Sequence, residues 1–169
     1  MKISVARLNT LDQAEFVRLL GGIYEHSPWM AERTWQARPF ADQEALLQAF
    51  RAALGKASKA EQLALIRAHP DLAGKVALQG ELTVESSKEQ ASAGLDQCNA
   101  EELVRFTELN TAYKQKFAFP FIMAVKNATR AQILQGFEQR IHHSSQQEFA
   151  TALAEINRIA GYRLSELFE

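Results

Sequence analysis

A histidine beside a proline is the first feature of this sequence whose chemistry suggests catalysis. His69 and Pro70 open the stretch His69-Pro-Asp-Leu-Ala-Gly-Lys75, after a run of helical periodicity. An imidazole titrates near neutrality and can donate or accept a proton, and a helix C-terminus beside it favours its charged form. A histidine that is hydrogen-bonded to the end of its own helix fits the same spacing. His69 is therefore a candidate acid or base, and a structural role stays open.

A cluster of polar side chains follows in Glu85-Ser-Ser-Lys-Glu-Gln90. Ser86, Glu89 and Gln90 are spaced i, i+3 and i+4, so on a helix they share one face. That face would offer a hydroxyl, a carboxylate and an amide to one small polar ligand. The same residues also fit a helix cap, formed by Ser86 with Glu89 or by Ser87 with Gln90. The spacing leaves both interpretations open.

Two further features are candidates for ligand binding. On a helical projection of the last segment, Arg163 lies at the margin of the apolar face, whereas Arg158 points to solvent. A guanidinium in apolar surroundings stays charged, so Arg163 needs a carboxylate, carbonyl oxygens or an anionic ligand beside it. The segment Phe119-Pro120-Phe121-Ile122 is typical of a core, but its proline would leave backbone N–H and C=O groups available to a ligand.

Familiar cofactor and metal motifs are absent from the sequence. The Gly-Lys of His69–Lys75 lacks the first glycine and the following Ser or Thr of a phosphate loop. Gly-x-Gly-x-x-Gly, Gly-x-Ser-x-Gly and His-Glu-x-x-His do not occur. Glu138 and His142 stand one helical turn apart, which is a weak metal signal. Cys98 is the only cysteine, so the chain has neither an internal disulfide nor a cysteine-based zinc cluster. We expect no metal.

Length and composition indicate a folded domain without an electrostatic or membrane specialisation. The chain has 169 residues, 47% hydrophobic and 23% charged, with a net charge of -1, which disfavours nucleic-acid binding. Its longest apolar run, Phe117–Val125, contains Pro120 and is too short to cross a bilayer. Charged residues interrupt the N-terminal segment, so it does not fit a secretory signal. The residues Leu167-Phe168-Glu169 do not resemble a peroxisomal address. These features predict no membrane association and a cytoplasmic location.

The secondary structure that carries these residues is predicted to be nearly all helical, because apolar residues recur at spacings of three and four. The pattern predicts an all-α fold, a single compact bundle of seven or eight helices with one long ordered loop over Asp71–Val84. Helix starts are indicated at Asp42, at Ser27-Pro28, and by pairs of a capping residue with Glu or Gln three positions later: Thr10 with Gln13, Ser58 with Glu61, Asn99 with Glu102, Thr129 with Gln132 and Ser145 with Glu148. The predicted helices cover residues 11–20, a short stretch after 28, 43–54, 59–68, 86–93, 100–117, 130–141 and 146–168.

Four groups of segments, taken in order, resemble the OHCU decarboxylase family, whose enzymes act on 2-oxo-4-hydroxy-4-carboxy-5-ureidoimidazoline (OHCU). They are His69–Lys75, then Leu82–Gln90 with Ala93–Asp96, then Leu109-Asn110 with Tyr113 and Lys116–Ile122, and finally Arg158–Ala160 with Arg163-Leu164. The resemblance implies one all-helical domain over residues 1–169 that forms homodimers. It also implies a decarboxylase without a cofactor, which releases CO2 to give (S)-allantoin late in urate degradation.

The resemblance assigns roles residue by residue. The catalytic histidine and glutamate of the family correspond to His69 and Glu89. Its substrate-binding positions correspond to Ser86, Gln90 and Arg163, and the pocket wall with its backbone contacts corresponds to Pro70, Phe119, Phe121 and Ile122.

Two departures from the family pattern stand outside the proposed catalytic residues. Ala118 occupies a position where the family usually has glycine, and Gly161-Tyr162 replace the more usual Arg-Leu.

A different class of function also fits the sequence, namely a helical module that binds a small ureide or a protein partner and catalyses nothing. Detection of optically active allantoin would distinguish the two.

Overall fold

The structure, a computed structural model, describes residues 2–74 and 80–168. Contacts between Cα atoms divide the chain into two units, Met1–Ala68 with Asn157–Glu169 and His69–Ile156. The last helix therefore contributes residues to both units. A single domain over residues 1–169 stays a prediction.

Helices form nearly all of the regular structure, which confirms the all-α prediction. Residues 2–74 and 80–168 contain nine α-helices, one short 3-10 helix and no β-strand beyond an isolated bridge between Ile3 and Phe168. The sequence predicted seven or eight helices. The helix that it missed is Val5–Leu8, whose four residues are too few to show a period; Ser4 caps it by accepting a hydrogen bond from the backbone N–H of Arg7.

The first unit contains α1 (Val5–Leu8), α2 (Gln13–Leu20), α3 (Trp29–Trp35), α4 (Gln43–Lys56), α5 (Lys59–Arg67) and the end of α9 (Ser145–Leu167). Helix α3 packs against both α2 and α4. The core side chains of this unit are almost completely buried, among them Phe16, Leu46, Phe50, Ala160 and Leu164. Burial of each large apolar side chain contributes about 1.5–3 kcal/mol to folding.

The second unit contains α6 (Val84–Ser92), a 3-10 helix (Leu95–Gln97), α7 (Ala100–Phe117), α8 (Arg130–Arg140) and the beginning of α9. Helix α7 packs against α8. The apolar residues of α7 that recur at spacings of three and four are buried at Phe106, Leu109, Tyr113 and Phe117. This unit carries all but one of the predicted site residues.

Most helix starts lie where the capping pairs predicted them. Asp42 caps α4, and the pairs that begin with Ser58, Asn99 and Thr129 form the expected reciprocal hydrogen bonds. The Thr10 prediction was wrong, because Asp12 and Glu15 form the capping box of α2. Two further details also differ: Pro28 occupies the N-cap position of α3 rather than its first turn, and Gly55 lies inside α4 rather than ending it.

The start of α9 also differs from the sequence prediction, with consequences for a buried charge. Ser144 and Gln147 exchange backbone and side-chain hydrogen bonds, so the cap lies one residue before the predicted pair Ser145 and Glu148. Glu148 is thereby released from capping, and its side chain is completely buried. Carboxylates are rarely buried unless they are paired, so Glu148 requires cationic or hydrogen-bonding partners.

The predicted loop over Asp71–Val84 is partly described. Residues 71–74 and 80–83 are not helical, and α6 already begins at Val84. Residues 75–79, including Lys75, lie outside the described residues. In the part of the chain that the structure describes, we find no helix with the length and apolar character that crossing a bilayer demands.

Candidate active site

His69 and Pro70 lie directly after the end of a helix, as the sequence predicted. Helix α5 ends at Arg67 with Ala68 as its C-cap residue. Both His69 and Pro70 are half-buried, so the imidazole is neither sealed in a core nor fully solvated. This degree of exposure suits a group that exchanges protons with a bound molecule.

Gln90 fixes the turn that follows His69-Pro70. Its side-chain oxygen accepts a hydrogen bond from the backbone N–H of Ala73 at 3.0 Å, and its amide nitrogen donates to the carbonyl of Asp71 at 3.2 Å. Gln90 is 5% exposed, and its bond to Ala73 is buried, where a hydrogen bond is stronger. Ala73 has a φ of 52°, a left-handed conformation that is unfavourable for alanine and that these bonds help to hold. Helix α6 and the turn after His69 are thereby joined.

Two residues of α7, which sequence reasoning missed, hold the same turn. The side chain of Asn110 donates to the carbonyl of Leu72 at 2.9 Å, and Lys114 forms an ion pair of 2.6 Å with Asp71. Their spacing of four residues places both side chains on one face of α7. Asn110 lies within one of the segments that resemble the family, but its type and position alone did not indicate a partner 38 residues away in sequence.

Ser86, Glu89 and Gln90 share one face of α6, as the first of the two sequence interpretations required. Thr83 is the N-cap residue, and its hydroxyl accepts from the backbone N–H of Ser86. The alternative in which Ser86 or Ser87 caps the helix is therefore wrong. Ser86 and Gln90 are buried and Glu89 is half-buried, so this face of α6 turns toward protein. A hydroxyl, a carboxylate and an amide share it.

The Phe119–Ile122 segment combines buried rings with irregular backbone. Phe119 and Phe121 pack edge-to-face on Tyr113, and Phe121 stacks on Phe137 with ring centroids 3.8 Å apart. The rings therefore belong to the core, in agreement with the structural interpretation of this segment. Among the described residues, no backbone–backbone hydrogen bond outside the helices involves Phe119 to Ala124. The backbone of the segment is consequently its candidate binding feature.

Arg163 lies in the first unit, where a carboxylate accompanies it. Its Nη2 donates to Glu25 at 2.8 Å and its Nη1 donates to the carbonyl of Gly22 at 3.0 Å. Arg163 is 6% exposed and Glu25 is 2% exposed. The expected partner is therefore present as a buried ion pair, and Arg158 is exposed as predicted. Glu25 had no sequence signal, because it precedes Arg163 by 138 residues.

The remaining sequence candidates are accounted for by ordinary structure. Glu138 forms an ion pair with Arg105 at 2.9 Å rather than a metal site with His142. Over residues 2–74 and 80–168, no group of three or more His, Cys, Asp or Glu side chains is arranged to hold a metal ion. Cys98 is half-buried, and this burial raises the pKa of its thiol.

Comparison with known proteins identifies relatives across nearly the whole chain. A sequence profile described as OHCU decarboxylase matches residues 9–165. The 2-oxo-4-hydroxy-4-carboxy-5-ureidoimidazoline decarboxylase of Halalkalicoccus jeotgali is 47% identical over 98% of this chain and 92% of its own. The protein of the same name from Haloferax volcanii is 43% identical over 99% of this chain and 97% of its own.

A solved structure agrees with these sequence matches. The crystal structure of an (S)-allantoin synthase superposes with a TM-score of 0.80 at 34% identity, over 98% of this chain and 54% of that one. This chain therefore spans about half of the length of that synthase.

Proposed function

This chain belongs to the OHCU decarboxylase family and is a carboxy-lyase, and from that premise we propose that it converts OHCU into (S)-allantoin and CO2 in urate degradation. One structural observation carries the site assignment. Gln90 ties the polar face of α6, which includes Glu89, to the turn that directly follows His69 and Pro70. An imidazole and a carboxylate, the two groups that the chemistry needs, therefore stand on two joined elements of one unit.

The chemistry of the substrate explains why side chains suffice. When the bond to the carboxyl carbon breaks, its electron pair forms a double bond between the hydroxyl-bearing carbon and the carbon that bears the ureido group. The π pair of the adjacent ring C=N bond moves at the same time to its nitrogen, which takes up a proton. The substrate is its own electron sink. The resulting enol becomes allantoin when its hydroxyl loses a proton and the carbon that bears the ureido group gains one. Starting from the carboxylate, one proton is consumed overall for each CO2 released.

His69 and Glu89 are the groups that we assign to these proton transfers. One accepts the hydroxyl proton and the other delivers a proton to the ring carbon, and we leave the order of the two undecided. General acid–base catalysis of this kind contributes about 10²–10⁴-fold to a rate. Delivery to a single face of the planar enol sets the configuration of the product.

Ser86, Gln90 and the pocket wall are assigned to holding the substrate. Ser86 lies on the buried face of α6, where a hydroxyl suits a polar substrate atom. The hydrogen bonds of Gln90 to Ala73 and Asp71 go to the backbone, yet its amide retains a second N–H and its oxygen a second lone pair. Pro70 and the backbone of Phe119, Phe121 and Ile122 complete the proposed wall.

Arg163 is assigned to the oxygen atoms of the ring on which negative charge accumulates during decarboxylation. Tight pairing with the departing carboxylate would stabilise the ground state instead and would slow the reaction. Its guanidinium has five N–H donors, which include those that bond Glu25 and the carbonyl of Gly22. Glu25 fixes the orientation from which those donors are presented.

Two finer properties are part of the proposal. We propose a homodimer, which the family resemblance supports, and sedimentation of the purified protein at several concentrations measures its mass. We also propose a cytoplasmic location, with which the single cysteine is consistent because structural disulfides are rare in reducing compartments.

Activity is tested with freshly generated urate oxidation product, because the substrate is unstable. Circular dichroism follows allantoin formation: the wild-type protein should give optically active product, whereas the spontaneous reaction gives a racemate. His69→Asn should remain folded but consume substrate about 10²-fold more slowly. His142→Asn, which alters an exposed histidine, is the matched control and should retain full activity.

Each result has a definite meaning for the proposal. A wild-type protein that yields racemate at the spontaneous rate would contradict the decarboxylase assignment and would favour the ureide-binding module. Normal turnover by His69→Asn would remove His69 from the proton transfers while leaving the activity itself intact.

A further inference from the structure

A fully buried carboxylate lies at the centre of a hydrogen-bond network in the second unit. Glu148 is 0% exposed and accepts from the hydroxyl of Tyr113 at 2.5 Å and from Nε of Arg140 at 2.9 Å. Its second oxygen lies 3.0 Å from Nδ1 of His143. Burial and the bond to Glu148 raise the pKa of Tyr113, so the phenol keeps its proton and remains a donor. None of these four residues belongs to the site described above.

Arg140 connects this network to the proposed pocket wall. Its Nη1 donates to the carbonyl of Ile122 at 2.6 Å, and its guanidinium carbon lies 4.3 Å from the ring centroid of Phe121. One rigid, planar group therefore holds a carboxylate of α9 with one nitrogen and the backbone of the wall with another. The irregular segment gains a fixed point that its own backbone does not provide.

The energetics indicate that this arrangement is poorly suited to stability alone. A buried ion pair often contributes no more to folding than apolar side chains of the same volume, because both charges lose their hydration. Arg140 is 9% exposed, and its Nη2 is buried with no hydrogen-bond partner among the described residues. An unsatisfied buried donor opposes folding. The position of the guanidinium is therefore better explained by what it orients.

We propose that Arg140, held by Glu148, is a positioning residue of the active site, because it fixes the Phe121-Ile122 backbone in the geometry that receives the substrate. This role rests on the proposed function of the wall. Arg140 touches the wall and not the reacting atoms, so its removal should weaken substrate binding more than it slows the proton transfers. Tyr113 and His143 contribute by holding the carboxylate that holds Arg140.

Arg130 provides a matched control on the same helix. It also bridges a carboxylate and a backbone carbonyl, with Nε 2.7 Å from Glu102 and Nη1 2.9 Å from the carbonyl of Gly94. Its contacts are the same in kind, but they do not reach the Phe119–Ile122 segment. Arg130→Lys therefore reports the general effect of replacing a bridging guanidinium in α8.

The experiment compares Arg140→Lys with Arg130→Lys in steady-state kinetics and in amide hydrogen exchange of the full-length protein. Arg140→Lys should raise KM about tenfold with a smaller change in kcat, and should accelerate exchange of the Phe119 and Phe121 to Ala124 amides about tenfold. Arg130→Lys should change neither quantity by more than about twofold. Tyr113→Phe keeps the ring and removes one bond to Glu148. It should shift KM and the exchange rates in the same direction but by smaller factors than Arg140→Lys. If Arg140→Lys does not fold, Tyr113→Phe replaces it as the test variant.

The two readouts separate this inference from the proposed function. If KM and exchange respond alike in Arg140→Lys and Arg130→Lys, or if Tyr113→Phe alone is measurable and matches wild type in both, the positioning role is refuted. If the wild-type protein produces no optically active allantoin, the proposed function fails, and the exchange measurement still decides whether Arg140 orders the wall.

Discussion

The same substitution, alanine to glycine, should have opposite effects on stability at two positions six residues apart. Ala118 is the C-cap residue of α7 and has a φ of 62° and a ψ of 22°, which is the left-handed conformation. Ala112 lies in the interior of the same helix, and both alanines are exposed. The left-handed backbone at Ala118 is a physical reason for the glycine that the family resemblance implies at this position.

The magnitudes follow from the two backbone conformations. A left-handed backbone costs an alanine about 1–2 kcal/mol that glycine does not incur. Glycine also gives the unfolded chain more freedom, which offsets about 0.4–1 kcal/mol of that gain. Ala118→Gly should therefore stabilise the protein by about 0.5–1 kcal/mol. Ala112→Gly has no strain to relieve and should destabilise it by about 1 kcal/mol.

Urea and thermal unfolding followed by far-ultraviolet circular dichroism measure both effects. For a chain of this length, 1 kcal/mol shifts Tm by about 2–4 °C. Ala118→Gly should raise Tm by about 1–4 °C and Ala112→Gly should lower it by about 2–4 °C. Equal destabilisation by both variants would refute the reasoning, because it would mean that the backbone at Ala118 carries no strain that glycine relieves.

Two further predictions concern side chains that hold the site. Arg163→Lys should keep its helical signal but raise KM about tenfold, because an ammonium group does not reproduce the planar donor set of the guanidinium; unchanged kinetics would assign Arg163 to structure alone. Gln90→Met should lower the free energy of unfolding by about 2–4 kcal/mol, since it leaves the buried N–H of Ala73 and the carbonyl of Asp71 unpaired. Gln62→Met, which removes a single bond to the carbonyl of Leu54, is its control, and equal losses in urea unfolding would show that Gln90 does not clamp the turn.

Local signals in the sequence predicted most helix boundaries. The bounds of α7 agree at both ends, because Asn99 with Glu102 marks its start and the periodicity stops before Pro120. The misassigned starts at Thr10 and Ser145 share one cause. In each case a second capping pair lies within two residues and forms the cap instead, so the local pattern alone did not distinguish the two pairs. The cap at Ser144 leaves Glu148 to be buried.

For the candidate site, too, local patterns identified some residues, whereas their distant partners were found only in the structure. Residue types and spacing identified His69, Glu89 and their neighbours, because a shared helix face is a local property. The partners that orient the site were not predictable. Asn110, Glu25 and Arg140 reach across 38, 138 and 18 positions, respectively, to the backbone or charge that each one holds.

Local sequence patterns were enough to predict that the protein is helical, where most of its helices begin, which family it resembles and which side chains have suitable chemistry. These properties depend on residues within a few positions of one another. The contacts between distant segments became known from the folded chain: Gln90 holds the turn after Pro70, Arg163 is paired with Glu25, and Glu148 anchors Arg140 beneath Phe121. A buried charge must be paired, but its partner is selected by packing between distant segments, which no local pattern records.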